Sequence, residues 1–415
     1  DEAAIECFQK ALSLKVNFSS AHINLGSLYQ TMGKLGEAQA SYRAAIAINP
    51  DAAAAHSNYG NVLQSLGHFE QAKVSYFRAL ELEPDLALAH NNLGTLYERG
   101  GNLRDAATRY ERAIKLKPDY AEAYSNFGGV LKDMGRLSKA LEAVAHAIAI
   151  DANCILAHNN LLFIQNYVGH QTAERLLADA KRFGAVVTRQ ARPFKDHPNS
   201  LDPHKVLKVG FVSGDLGEHP VGYFLESVLS ALQSQSSGRL EIFAYPTVPS
   251  DDETSKRLKA CCQGWHSAVG LSDEALAKRI HQDGIDILVD LAGHTAHNRL
   301  PVFAWKPAPI QVSWLGYCAT TGVAEMDYYI ADAIALPSSL EGQFVESIWR
   351  LPESYLCLSR PNANVPVVAA PALASERVTF GSFNNLTKMT DETVHLWARI
   401  LHAVPQSRLF LKSRQ

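Results

Sequence analysis

Glycines stand at Gly26, Gly60, Gly94 and Gly128, each 34 residues after the one before. A chain with such a period folds as stacked copies of one small unit, because a single copy cannot bury its own apolar face. Around each glycine one phrase returns: "AHINLGSLYQTMG" from Ala21, "AHSNYGNVLQSLG" from Ala55, "AHNNLGTLYERG" from Ala89 and "AYSNFGGVLKDMG" from Ala123. A shorter copy, "AHNNLLFIQ", starts at Ala157.

The second half of each unit carries Ala38, Tyr42, Ala45 and Pro50, then Ala72, Tyr76, Ala79 and Pro84, then Ala106, Tyr110, Ala113 and Pro118. Small residues let two helices approach closely, the aromatic fills space between units, and proline ends the second helix. This is the signature of a tetratricopeptide repeat, two antiparallel helices per unit. It predicts an α-solenoid over residues 1–165, opening on a lone second helix (Ala4, Phe8, Ala11).

Asn24, Asn58, Asn92, Asn126 and Asn160 keep the same period inside the first helix of each unit. In such repeats that helix lines the concave face, so stacking sets the amides in a row. An amide both donates and accepts, and a row of them suits an extended acceptor polypeptide of any sequence. The competing expectation is that each amide bonds a neighbouring helix. His22, His56, His90 and His158 hold the adjacent place and read as packing between helices or lining of the groove rather than as ligands.

After Gln165 the period is lost, and residues 166–205 read as a helical linker that ends in "RPFKDHPNSLDPHK". From Val206 short apolar runs ("VLKVGFVS", "LEIFAYP", "DILVDLAG", "IQVSWLG") alternate with helical ones, which predicts a parallel, doubly wound α/β sheet. Ligands of such sheets gather at the carboxyl ends of strands. Those ends read "SGDLGEHPVG", "AGHTAHN", "WLGYCATTG" and "FGSFNNLTKMT". No G-x-G-x-x-G follows the first strand, and there is no Walker A loop, nucleophile elbow or D-x-D pair. A diphosphate held here would therefore rest on cations and helix N-termini, and Lys388 lies between a strand end and a helix start.

The net charge of −3 argues against a nucleic-acid surface, and the apolar runs are too short for a membrane span. Six scattered cysteines (Cys7, Cys154, Cys261, Cys262, Cys318 and Cys357) read as reduced thiols of a cytoplasmic protein rather than a disulfide framework or metal site. The chain opens inside a helix without Met and closes on "RLFLKSRQ", so a longer protein, with a C-terminal part missing here, is expected.

Taken together, "KVGFVSGDLGEHPVGYFLESVL", "DILVDLAGHTAHNRL", "PAPIQVSWLGY" and "VTFGSFNNLTKMT", behind the repeats, resemble the O-linked N-acetylglucosamine transferases, and among them the bacterial members. The resemblance implies a GT-B glycosyltransferase: a Rossmann-like lobe at 206–376 and a second lobe only begun at 377–415. It implies an enzyme that moves N-acetylglucosamine from UDP-GlcNAc to Ser or Thr hydroxyls of polypeptides, inverting and without metal or other cofactor. Lys388 then matches the lysine on the leaving diphosphate, where a fixed cation lowers the barrier. His219 matches a histidine near acceptor and sugar. It faces Lys388 across a shared cleft, and either this imidazole, a phosphate oxygen or a water chain takes the hydroxyl proton. Asp215 orients His219 or merely serves its turn. His294 and Thr295 of the "GHT" loop, with Leu315, Gly316 and Tyr317, are implied to border the sugar, and Asn385 the uracil or phosphate. Animal relatives carry Tyr at the His294 place and Gln at that of Asn385, and Cys318 replaces a common proline. Two other readings stay open: a protein O-fucosyltransferase using GDP-fucose, whose plant members share the "GHTA" loop, and a non-catalytic repeat scaffold.

Overall fold

The computed structural model describes residues 2–169, 171–358 and 366–412. His170, residues 359–365 and positions 413–415 of the expected second lobe lie outside the described residues. Among the described residues, eleven helices fill the first part of the chain. They are α1 (Glu2–Leu14), α2 (Ser19–Thr31), α3 (Leu35–Ile48), α4 (Ala53–Ser65), α5 (Phe69–Leu82) and α6 (Ala87–Arg99). Then come α7 (Leu103–Leu116), α8 (Ala121–Asp133), α9 (Leu137–Ile150), α10 (Ile155–Gln165) and α11 (Ala173–Gln190).

The period has a steric cause. A Cβ at Gly26, Gly60 or Gly94 would stand 2.8, 2.5 or 2.7 Å from the ring of Tyr42, Tyr76 or Tyr110. Each glycine is thus the socket for the aromatic of its own second helix, and all three rings are fully buried. In the fourth unit Val144 fills the socket of Gly128. The turns between paired helices hold Gly33, Gly67, Gly101 and Gly135 at φ of +71, +83, +76 and +73°, the left-handed region that a Cβ disfavours. The histidine row is packing, as expected: Nε2 of His56, His90 and His158 lies 2.9, 3.0 and 3.0 Å from the carbonyls of Pro50, Pro84 and Ala152.

The α/β part holds β1 (Leu207–Ser213), α12 (Pro220–Gln235), β2 (Leu240–Pro246), α13 (Glu253–Ala260), β3 (Gly264–Trp265) and α14 (Asp273–Asp283). It continues with β4 (Ile287–Asp290), α15 (Leu300–Phe303), β5 (Ile310–Ser313), β6 (Tyr328–Asp332) and β7 (Ser347–Leu351). All pair in parallel in the order β3-β2-β1-β4-β5-β6-β7. The winding direction reverses between β1 and β4, so the loops after these two strands flank the crevice where such sheets hold ligands. Beyond it, α16 (Pro371–Ser375) leads to β8 (Thr379–Ser382), α17 (Asp391–Ala403) and β9 (Arg408–Leu411), with β8 and β9 paired in a separate parallel sheet.

The repeats are seated on this sheet through α11. A Cβ at Gly184 would lie 1.8 Å from the Gly322 carbonyl oxygen, so helix and loop touch backbone to backbone, and Thr188 Oγ1 donates to Glu325 at 3.1 Å. At the other end, a Cβ at Gly33 would stand 2.7 Å from the Gly270 carbonyl oxygen. The solenoid therefore meets the sheet domain at its first turn as well as its last helix.

Candidate functional site

A cavity of about 600 Å³ lies where α10, the loop after β5 and the start of α17 converge. Thr295, Leu315, Gly316, Tyr317 and Lys388 all line it, beside Phe163, Asn166, Tyr167, Cys318, Tyr355 and Thr390. Gly316 has no room for a side chain, since a Cβ there would sit 1.8 Å from the Leu291 carbonyl oxygen. Leu315 takes φ +77°, a conformation that costs a leucine energy and that clusters at functional sites. Tyr317 is buried, and its hydroxyl receives the Asn166 amide N–H at 2.9 Å, tying the end of the repeats to the "WLGY" loop.

Lys388 is exposed and closes a short 3-10 turn, with Asn385 forming the turn: its Oδ1 accepts from the Thr387 N–H at 3.1 Å. Asn385 is exposed and does not line the cavity. Thr390 caps α17 by accepting from the Thr393 N–H at 3.3 Å. One wall thus combines an ammonium with a helix N-terminus, a pairing suited to a diphosphate. Burial pushes the Cys318 thiol up, and the positive charge of Lys388 opposes it. Asp391 and Glu392 in the first turn of α17 partly offset the cationic field.

The "GHT" loop is anchored from beneath by Asp290. Its buried carboxylate accepts from the N–H groups of Ala292 at 3.2 Å and Gly293 at 2.8 Å. Burial pushes this group up to about 6 against those hydrogen bonds. His294, which the resemblance implies to border the sugar, does not line the Lys388 cavity. It is 3% exposed, wedged edge-on against Phe183 and Tyr317, with Nε2 3.0 Å from the Thr321 carbonyl and Nδ1 2.6 Å from the Asn159 amide. Burial lowers it to about 3, so the ring is neutral. The Thr321 carbonyl and the Asn159 Oδ1 are both acceptors, so the neutral ring donates its one N–H to one of them. With both nitrogens engaged, His294 joins α10 to the sheet. Thr295 remains at the cavity, with Oγ1 donating to the Ala292 carbonyl at 2.8 Å.

His219 is not among the residues lining the Lys388 cavity. It caps α12, Nδ1 accepting from the Val221 N–H at 3.3 Å, with Asp215 Oδ1 3.6 Å away. Asp215 is raised by burial, while the charges of His219 and His297 pull it down. His297, at φ +60°, belongs to the neighbouring cavity.

That second cavity, about 430 Å³, lies against α6, α8 and α10, the first helices of successive units. Asn126, Asn159, Asn160, Glu98, Lys132 and the loop 294–298 are among its walls. Three amides of the row bond the preceding unit. Asn92 donates to Ser57 Oγ at 3.5 Å, Asn126 to Asn91 Oδ1 at 3.0 Å, and Asn160 to the Oγ and carbonyl of Ser125, both at 3.0 Å. Asn24 is exposed, and Asn58 and Asn92 lie outside this cavity. The amides therefore tie unit to unit through N–H, which leaves Oδ1 as the group they can turn to the groove. Phe163, Asn166 and Tyr167, which sequence reading missed, stand just where the period ends.

The sequence pattern described as "Glycosyl transferase family 41" matches residues 180–364, and tetratricopeptide repeat patterns match residues 32–67, 60–101, 99–135 and 121–154. The chain is 38% identical over 270 residues to the "Probable UDP-N-acetylglucosamine--peptide N-acetylglucosaminyltransferase SPINDLY" of Petunia hybrida, covering 64% of this chain and 29% of that protein. It is 32% identical over 240 residues to the protein of the same description named SEC from Arabidopsis thaliana, covering 54% and 24%. The chain spans about 29% of the length of the first of these curated relatives. Among solved structures, a lysine-to-methionine mutant of the Thermobaculum terrenum O-GlcNAc transferase superposes with a TM-score of 0.79 at 32% identity, over 87% of this chain and 68% of that one.

Proposed function

This chain belongs to glycosyl transferase family 41, and from that premise we propose that the protein transfers N-acetylglucosamine from UDP-GlcNAc to Ser or Thr hydroxyls of polypeptides. The observation that carries the reading is that Phe163 and Thr295 belong to the walls of both cavities. A polypeptide lying along the repeats would therefore reach the space beside Lys388 without crossing packed core. In the proposed step the acceptor oxygen attacks the anomeric carbon, the bond to phosphate breaks with inversion, and the nucleoside diphosphate leaves without help from a metal. Lys388 and the N-terminus of α17 would stabilise the charge that develops on the diphosphate. Since His219 caps α12 instead of lining the cavity, the hydroxyl proton is assigned to a phosphate oxygen or a water. Leu315, Gly316, Tyr317 and Thr295 would shape the sugar's place. The six unpaired cysteines support a cytoplasmic setting.

Titrating the full-length protein with UDP-GlcNAc and with GDP-fucose tests the donor. Saturable binding of the uridine nucleotide alone is expected, and binding of the guanosine nucleotide alone would move the reading to fucose transfer. Lys388→Ala should cut transfer by about 10²- to 10³-fold, as loss of one fixed charge-stabilising donor does. A folded Lys388→Ala protein with full cellular function and undiminished partner binding would point to the scaffold.

A further inference from the structure

Phe163 sits near the end of α10 with its ring partly exposed, a side chain without polar atoms in the walls of both cavities. Its position is fixed by an unusual clamp. Lys132 of α8 has a side chain only 14% exposed, and its Nζ lies 4.7 Å from the Phe163 ring centre and 5.9 Å from that of Tyr167. Asp133 Oδ1 pairs with the same Nζ at 2.8 Å. The two rings meet edge-on, centroids 5.5 Å apart at 66°. Lys132 lines the groove cavity, Tyr167 lines the Lys388 cavity, and Phe163 lines both. Among the other wall residues, Thr295 has its hydroxyl proton committed to the Ala292 carbonyl, and Asn166 its amide to the Leu162 carbonyl and Tyr317 hydroxyl. The junction thus offers passing water few free donors.

We infer that Phe163 is the partition that admits an acceptor hydroxyl to the sugar while holding bulk water out, and that Lys132 is the positioning residue that keeps the ring across the junction. This rests on the transfer reading given above. Without the partition, a water oxygen takes the place of the Ser or Thr oxygen at the anomeric carbon. The bond to the diphosphate breaks, free sugar and nucleoside diphosphate leave, and the water's proton passes to solvent. The same donor is consumed either way, so the partition shows itself in the ratio of free to transferred sugar.

The test uses full-length protein with UDP-GlcNAc and an unstructured Ser/Thr-rich polypeptide, measuring free and polypeptide-bound sugar together. Phe163→Ala should raise the free-to-transferred ratio on the order of tenfold, as admitting water to the reacting carbon would. Lys132→Met should raise it about threefold, and Lys132→Arg should restore it, because a guanidinium also sits well over aromatic faces. Phe163→Leu, which keeps most of the bulk, serves should the alanine variant fail to fold, and it should raise the ratio less. Both rates falling in parallel at an unchanged ratio in Lys132→Met and either Phe163 variant would overturn the inference. A wild-type protein that neither binds UDP nor consumes the donor would overturn the transfer reading instead.

Discussion

Replacing His294 by Gln separates a buried neutral tie from a titrating site residue. In the folded protein burial lowers the ring from its ordinary 6.5 to about 3. A depressed histidine leaves folding stability intact above 6.5 and erodes it as pH falls toward 3, because only the unfolded chain takes up the proton. At about pH 5 the unfolded ring is roughly 1.5 units below its pKa, which amounts to about 2 kcal/mol lost. Asp290 works in the opposite direction. Its folded value is raised from 3.8 to about 6, so it stabilises the fold at low pH and loses that contribution as pH rises through 6. Going from about pH 7.5 to pH 5 it returns about 1.5 kcal/mol, which nearly masks the histidine in the wild-type profile. The variant exposes it. All five tryptophans follow residue 264, so their fluorescence reports the sheet domain and the segment after it in urea unfolding. His294→Gln should be less stable by about 1–2 kcal/mol at neutral pH through its lost hydrogen bond. The gap should close by about 2 kcal/mol at pH 5. A gap independent of pH would refute the account of His294 as a neutral link between α10 and the sheet.

Gly94→Ala pushes a methyl to 2.7 Å from the Tyr110 ring and should cost about 1–3 kcal/mol, read as a lower midpoint by far-UV circular dichroism. Asn160→Ala removes two hydrogen bonds to Ser125 and should destabilise the solenoid by about 1–2 kcal/mol, whereas the exposed Asn24→Ala should stay within about 0.5 kcal/mol. Polypeptide affinity measured on both variants then separates a groove role from a structural one. Gly316→Ala drives a methyl to 1.8 Å from the Leu291 carbonyl oxygen, so nucleotide binding by calorimetry should be lost while the repeats keep their helicity.

The repeats were legible because their period is a packing constraint: a glycine socket and its ring must recur together, and both are visible in one chain. Lys388 was legible for a similar reason, standing between β8 and α17. The amide row was only half legible. Whether Asn126 turns to the groove or to its neighbour depends on Asn91 in the preceding unit, a pairing that side-chain type alone does not decide. The burial of His294 was not legible, because "GHT" sits at a strand end, where sites gather, while Phe183 and Asn159 that pack on it lie on other elements. β6 and β7 escaped because "YYIAD" and "SIWRL" are short and carry charges at their ends. Phe163 escaped because its place in the earlier copies holds Ser27, Asn61, Thr95 and Gly129, and Tyr167 because it follows the last copy, where periodicity carries no information.

A crystal structure of the full-length protein with UDP and an acceptor peptide tests most directly whether the two cavities serve one reaction. The diphosphate should lie within hydrogen-bond reach of Lys388 Nζ and the N-terminus of α17, with the peptide along Asn126 and Asn160 and its hydroxyl passing between Phe163 and Thr295. A nucleotide bound elsewhere, or a peptide hydroxyl cut off from it by packed side chains, would contradict the account.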